Sequence, residues 1–125
     1  MPLQAPKAHY TFADCLTWDE STRIEIIHGE AIMMSMPLRI HQEILGELSR
    51  QLANFLEGKR AEILFAPFAV RLFEKKGDPP ENVDTVVLPD ISVICDHNKL
   101  DEYGCKGAPD MVVEILSPST QRHDQ

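Results

Sequence analysis

Apolar positions recur at three and four residues over one stretch of the chain and mix with polar ones at shorter period over several others, and the change of period marks the elements. From Arg39, the residues Ile40, Ile44, Leu45, Leu48, Leu52, Phe55 and Leu56 fall on one side of a helical repeat, which predicts an amphipathic helix that Gly58 ends. Upstream, Thr11 followed three positions later by Asp14 has the form of an N-cap with an acidic third residue, so "TFADCLTWDES" predicts a short helix. "RIEIIHGEAIMMSM" predicts a β-hairpin turned by His28-Gly29, with Gly29 free to take positive φ. "AEILFAPFAVRLFE" has strand composition interrupted by Pro67, which predicts an edge, a bend or a bulge, and "KKGDPPENVD" predicts a loop. "TVVLPDISVIC" predicts one strand with Pro89 inside it, "DHNKLDEYGCKGAP" a long loop, and "DMVVEILSPST" a closing strand of buried character. Ser117, Ser119 and Thr120 are candidate caps for a further helix that would begin just where the sequence stops.

One residue conflicts with this pattern. Strand alternation places Val112, Glu114 and Leu116 on one face, opposite Met111, Val113 and Ile115, so Glu114 interrupts an otherwise apolar face. An ionised carboxylate buried alone is costly and is expected to have a cation, hydrogen bonds or a proton. The same arithmetic groups Asp90 with Ser92 and Ile94, so the preceding strand also carries an acid beside its core. If the two strands are neighbours, Asp90 and Glu114 converge. A divalent cation such as Mg²⁺, which takes one or two carboxylates and leaves water and phosphate oxygens in its other positions, would relieve their repulsion and could activate water against a phosphodiester. The competing reading gives Asp90 a strand-end role after Pro89 and pairs Glu114 with Arg71 or Arg39 in an ion pair without chemistry.

Composition narrows the field. The chain has 125 residues and 43% hydrophobic content, which predicts one domain over residues 1–125 with a real core. No run approaches the roughly 18 apolar residues of a membrane span, and "MPLQAPKAHY" lacks the apolar middle of a secretory signal, so a cytoplasmic protein without membrane contact is expected. Three cysteines fit reduced thiols better than a disulfide framework. Cys95, His97 and Cys105 could be imagined as zinc ligands, although a paired C-x-x-C is missing. The net charge of −8 opposes nonspecific attraction to a polyanion, and the basic residues of "EGKRAE" and "FEKKGD" are interleaved with acids.

The stretches "LPDISVIC" and "KLDEYGCKGAPDMVVEILSPST" resemble the Uma-type restriction endonuclease family, a group within the PD-(D/E)XK nuclease superfamily. "YTFADCLTWDE", "RIEIIHGEAIMM", "HQEILGELSRQLANFL" and "LFAPFAVRL" follow that family's order of elements. The resemblance implies an α/β (α+β) restriction-endonuclease-like core, in which a helix precedes a mixed, strongly bent sheet flanked by helices. It implies Asp90 and Glu114 as metal-binding acids on adjacent strands, Mg²⁺- or Mn²⁺-dependent cleavage of DNA, and a homodimer. His41 matches a family histidine, which makes it a candidate catalytic or supporting residue. Glu25 matches a family acid, for which anchoring the hairpin is favoured over supporting a metal. Trp18 and the group Met33, Met34 and Met36 read as packing or interface.

The chain departs from the superfamily pattern two residues after the second acid, where the usual lysine is replaced by Leu116, which cannot orient water or stabilise negative charge. In the Uma-type group the lysine is expected from the helix after "SPST", a few residues past Asp124. The chain is therefore expected to be truncated before its catalytic lysine, its C-terminal helix and its final strand, with Lys106 and Arg122 as the nearby cations. The leading expectation is a metal-dependent endonuclease-like domain, and its rival is a catalytically silent oligomerisation or interaction protein that keeps the nuclease fold. A zinc-stabilised module is the third.

Overall fold

The computed structural model describes residues 7–19 and 21–116; the candidate caps Ser117, Ser119 and Thr120, and Arg122, lie outside the described residues. The first helix, α1 (Phe12–Cys15), starts as the sequence predicts: the Asp14 carboxylate accepts from the Thr11 N–H at 2.9 Å and satisfies a donor that a helix start leaves free. The hairpin pairs β1 (Ile24–Ile27) with β2 (Glu30–Met33), and His28 (φ 48°) and Gly29 (φ 87°) both occupy the left-handed region that a two-residue turn of matching twist requires. A side chain at residue 29 is excluded twice over, since a Cβ there would lie 2.2 Å from the His9 ring.

The long helix α2 (Arg39–Leu56) forms where the spacing places it, and Gly58 follows it with φ 81°. Its apolar side is wider than the stripe that the fold covers. Leu45, Leu48, Leu52 and Leu56 are half-buried in line with His41, whereas Ile40, Ile44 and Phe55 are exposed and no residue of the helix is fully buried.

Two prolines divide the strand regions. The Pro67 segment splits into β3 (Glu62–Phe65) and β4 (Val70–Arg71), and the segment predicted as one strand around Pro89 splits into β5 (Val86–Val87) and β6 (Ile91–Ile94). Proline cannot donate to a ladder, so each segment leaves one sheet at its proline and enters another. The loop predicted after Cys95 contains a further hairpin, β7 (Leu100–Asp101) and β8 (Gly104–Lys106), and the last strand is β9 (Met111–Val113). The order β2-β1-β5-β4-β8-β7 forms a mixed sheet in which only the β4–β8 pairing runs parallel among these neighbours; β3-β6-β9 forms a second, antiparallel sheet. The short proline-containing passages Ala66–Ala69 and Leu88–Asp90 each carry the chain directly from one sheet to the other, which gives the mixed and bent arrangement expected of the fold.

The core closes across this bend. Val70 and Cys105 of the larger sheet pack with Ile94 of the smaller one, joined by Leu64, Phe68, Leu72, Val87 and Leu100. A second cluster sets Phe12 of α1 against Val83 and Val86. Arg71 is only 2% exposed, yet its guanidinium binds Glu74 (Nε–Oε1 2.6 Å) and Asp101 (Nη2–Oδ2 2.5 Å) and lies over the Phe12 ring, 4.7 Å from its centre.

β9 corrects an expectation. It is an outer strand of the smaller sheet, and Met111 and Val112 are exposed, as are Glu114 and Leu116; Val113 and Ile115 are half-buried. A run of apolar residues looks like core in sequence, but at a sheet edge one side and one rim face water.

Candidate active site

β6 and β9 are hydrogen-bonded antiparallel neighbours with Ile91 opposite Val113, Ser92 opposite Val112 and Val93 opposite Met111. One step further along this register, Asp90 faces Glu114. Each carboxylate then caps the other strand's backbone: Glu114 Oε1 accepts from the Asp90 N–H at 3.0 Å, and Asp90 Oδ2 accepts from the Ile115 N–H at 2.7 Å. The convergence that the sequence made conditional on strand adjacency is present. Both acids stand just outside their strands, where the ladder has stopped supplying amide partners.

His41, in the first turn of α2, brings Nε2 to 3.1 Å from Asp90 Oδ1. For an ionised Asp90 this contact requires a proton on Nε2. His41 Nδ1 and Ser92 Oγ are buried and lack a hydrogen-bond partner among the described residues. The third acid comes from the larger sheet: Glu25 Oε2 accepts from the Leu88 N–H at 2.8 Å, immediately before Pro89. The expected anchoring of the hairpin thus takes the form of a link from the hairpin to the segment that carries Asp90.

Glu25 and Glu114 border one cavity of about 430 Å³ whose walls are chiefly apolar, including Val70, Leu72, Val87 and Met111; among the described residues no Lys or Arg lines it. Partial burial pushes the Glu114 carboxyl above its usual range, the Asp90 N–H pulls it back, and the negative charges of Asp90 and Glu25 push it up again, with His41 opposing. Glu114 is itself exposed, so water screens these charges in part.

The alternative ion pairs proposed for Glu114 are not formed. Arg71 is bound to Glu74 and Asp101, and Arg39 pairs with Glu43 one helical turn away. Lys106, exposed at the end of β8, is not among the residues lining the cavity. Cys95 is exposed while Cys105 is fully buried in the core. Among the described residues, no group of three or more His, Cys, Asp and Glu side chains is arranged to hold a metal ion. A zinc trio of Cys95, His97 and Cys105 is therefore not assembled. For a hard cation the requirement is lower, because Mg²⁺ and Mn²⁺ suit oxygen donors and are commonly held by one or two carboxylates. Asp90 and Glu114 meet that requirement in donor type and adjacency, with the second oxygen of Glu114 left for an incoming ion.

The signal for Glu25 was present in the sequence as alternation. Ile24 and Ile26 are buried in β1, so Glu25 is turned to the opposite face, and that face meets the cavity. Ser92 had no such signal, since a small hydroxyl in a strand reads equally well as packing.

The family model Uma2, described as "Putative restriction endonuclease", matches residues 12–125. Over 123 residues the chain is 28% identical to "Uncharacterized protein slr1290" of Synechocystis sp., covering 97% of this chain and 60% of that protein. The crystal structure of "a putative nuclease belonging to DUF820" from Anabaena variabilis superposes with a TM-score of 0.67 at 24% identity, covering 92% of this chain and 63% of that one. The chain thus spans about three fifths of the length of the relatives it matches.

Proposed function

The chain belongs to the Uma2 family, and from that membership and the paired acids we propose that it is the metal-binding part of an endonuclease that hydrolyses DNA phosphodiesters. The observation that carries the reading is the placement of Asp90 and Glu114 on facing ends of paired strands, each fixed by the other strand's amide. Residues 1–125 act as one unit in this reading, with Mg²⁺ or Mn²⁺ as the ion.

In hydrolysis a water oxygen bonds to phosphorus, one P–O bond to a deoxyribose oxygen breaks, and the leaving oxygen takes a proton. A bound divalent ion supplies charge stabilisation at the phosphoryl group and a more acidic water. The chain's own residues set the geometry. The two backbone amides fix the carboxylate orientations before any ligand arrives, so little ordering remains to be done on binding. His41 Nε2 holds the other Asp90 oxygen and restricts its rotation. Among the described residues no Lys or Arg lines the cavity beside Glu114, which is consistent with a water-orienting cation supplied from elsewhere. The net charge of −8 opposes the approach of a polyanion, and a bound divalent ion would offset part of that repulsion locally. Exposed Met33, the last residue of the outer strand β2, and exposed Met36 just beyond it favour pairing with a second copy of the chain, which analytical ultracentrifugation checks.

A catalytically silent interaction protein is the second reading, favoured by Leu116, which stands where the superfamily lysine would and is 54% exposed. Mn²⁺ titration by calorimetry on the chain, on Asp90→Ala and on Glu114→Ala separates the two. Saturable binding that both substitutions abolish, with folding retained, supports the nuclease reading. A folded parent that binds no Mn²⁺ overturns it in favour of the silent protein.

A further inference from the structure

Asp90 enters the site through an unusual stretch of backbone. Val86 and Val87 still belong to the larger sheet, Ile91 already belongs to the smaller one, and the three residues between them make the whole passage. Pro89, buried at the centre of that passage, has no N–H to donate. The amides on either side of it are both held by carboxylates, Leu88 by Glu25 at 2.8 Å from the larger sheet and Asp90 by Glu114 at 3.0 Å from the smaller one. The Asp90 carbonyl accepts from the Ala66 N–H at 3.1 Å, in the proline-containing passage between β3 and β4.

The geometry points to Glu25 as a positioning residue: by holding the Leu88 amide it sets the corner from which Asp90 reaches the cation, and it acts through that corner rather than as a metal ligand. Three observations support the assignment. The bond joins residues 63 positions apart and bridges the larger sheet to the segment that carries Asp90, so it restrains that segment rather than one hairpin. Ile26 is paired with Val86, which places Glu25 beside the final residues of β5 and lets a side chain of its length reach the next free amide after the ladder ends. Glu25 borders the same cavity as Glu114, yet no third acid is assembled with Asp90 and Glu114 in a metal-holding group among the described residues. A residue that orients a metal ligand in this way commonly contributes 10- to 100-fold in metal affinity.

This inference rests on the nuclease reading of Asp90 and Glu114, and its test uses two substitutions that separate charge from reach. Glu25→Gln keeps an acceptor oxygen at full length without the charge. Glu25→Asp keeps the charge and shortens the side chain by one methylene. Calorimetric Mn²⁺ affinity, Leu88 amide exchange by NMR and thermal unfolding are measured for both on the full chain. The expected result is that Glu25→Gln binds Mn²⁺ nearly as the parent does, whereas Glu25→Asp loses about tenfold in affinity and exposes the Leu88 amide to faster exchange. The reverse order would mean that the charge itself serves the ion, and parent-like affinity in both would leave Glu25 a purely structural tether; either result overturns the assignment. Parent binding that is lost in Asp90→Ala but untouched in both Glu25 variants sinks this inference alone. Absence of Mn²⁺ binding in the parent sinks the nuclease reading and this inference with it.

Discussion

Replacing Glu114 by Gln is expected to make the metal-free protein more stable while removing its response to Mn²⁺. The amide oxygen of Gln still accepts from the Asp90 N–H, so the bond seen at 3.0 Å survives and the charge alone is lost. Facing residues on paired antiparallel strands have Cβ atoms about 5 Å apart. Two like unit charges at that separation repel by about 0.8 kcal/mol in water and by about 3 kcal/mol at an effective dielectric constant of 20. Exposure of Glu114 places the case near the lower figure, so relief of roughly 1 kcal/mol is expected, which corresponds to about 4 °C in Tm for a chain of this size. The sign with pH follows from the raised carboxyl of Glu114. A group whose pKa is higher in the folded state leaves stability intact below its ordinary value of 4.5 and erodes it as pH rises through the folded-state value. The advantage of the variant is therefore present at neutral pH and disappears on acidification below that value. Mn²⁺ at 100 times its Kd stabilises the parent by about 2.7 kcal/mol and leaves the variant unmoved, reversing their order. Thermal unfolding at neutral and acid pH, with and without Mn²⁺, reads all of this. A metal-free variant less stable than the parent at neutral pH would refute the claim that Glu114 is held against electrostatic cost.

Two further substitutions test the framework. Arg71→Met removes the partner of Glu74 and Asp101 and the cation over Phe12; about 3 kcal/mol of destabilisation is expected, discounted for the partly exposed Asp101, and a urea midpoint close to the parent's would contradict it. Gly104→Ala places a Cβ 2.1 Å from the Ala69 carbonyl oxygen at φ 141°, so more than about 3 kcal/mol is expected, whereas Gly107→Ala, with φ 83° and open space around it, costs about 1 kcal/mol; equal effects in chemical denaturation would show that β8 is not held against β4 as described.

Legibility varied with the range of the interaction that decides each feature. The cap at Thr11, the His28-Gly29 turn and the extent of α2 are settled within a few residues, and each was legible in the sequence. Pro67 signalled a bend and the fold has one there, but Pro89 was read as lying inside a strand, when its missing donor ends pairing on one sheet and permits entry to the next. The hairpin Leu100–Lys106 was read as loop because its strands are only two and three residues long and gain their stability from β4. The pairing of the two acids was inferred from a premise that the structure revises. Glu114 was expected in a buried strand, whereas it is exposed one residue beyond an outer one; its pairing with Asp90 survives because it depends on register and not on depth.

The sequence by itself determined the Thr11 cap, the His28-Gly29 turn and α2, singled out the two acids that the strands bring together and, through resemblance, identified the family, because these rest on spacing, backbone preference and residue chemistry that neighbouring positions carry. Only the tertiary structure decided which strands are neighbours, which face of each meets water, and which side chains restrain the corner at Leu88–Asp90. Those depend on contacts such as Glu25 with Leu88, 63 residues apart, and Arg71 with Asp101, 30 apart, which no local pattern encodes. Such contacts form only when burial across the bend outweighs the entropy of closing the chain between them.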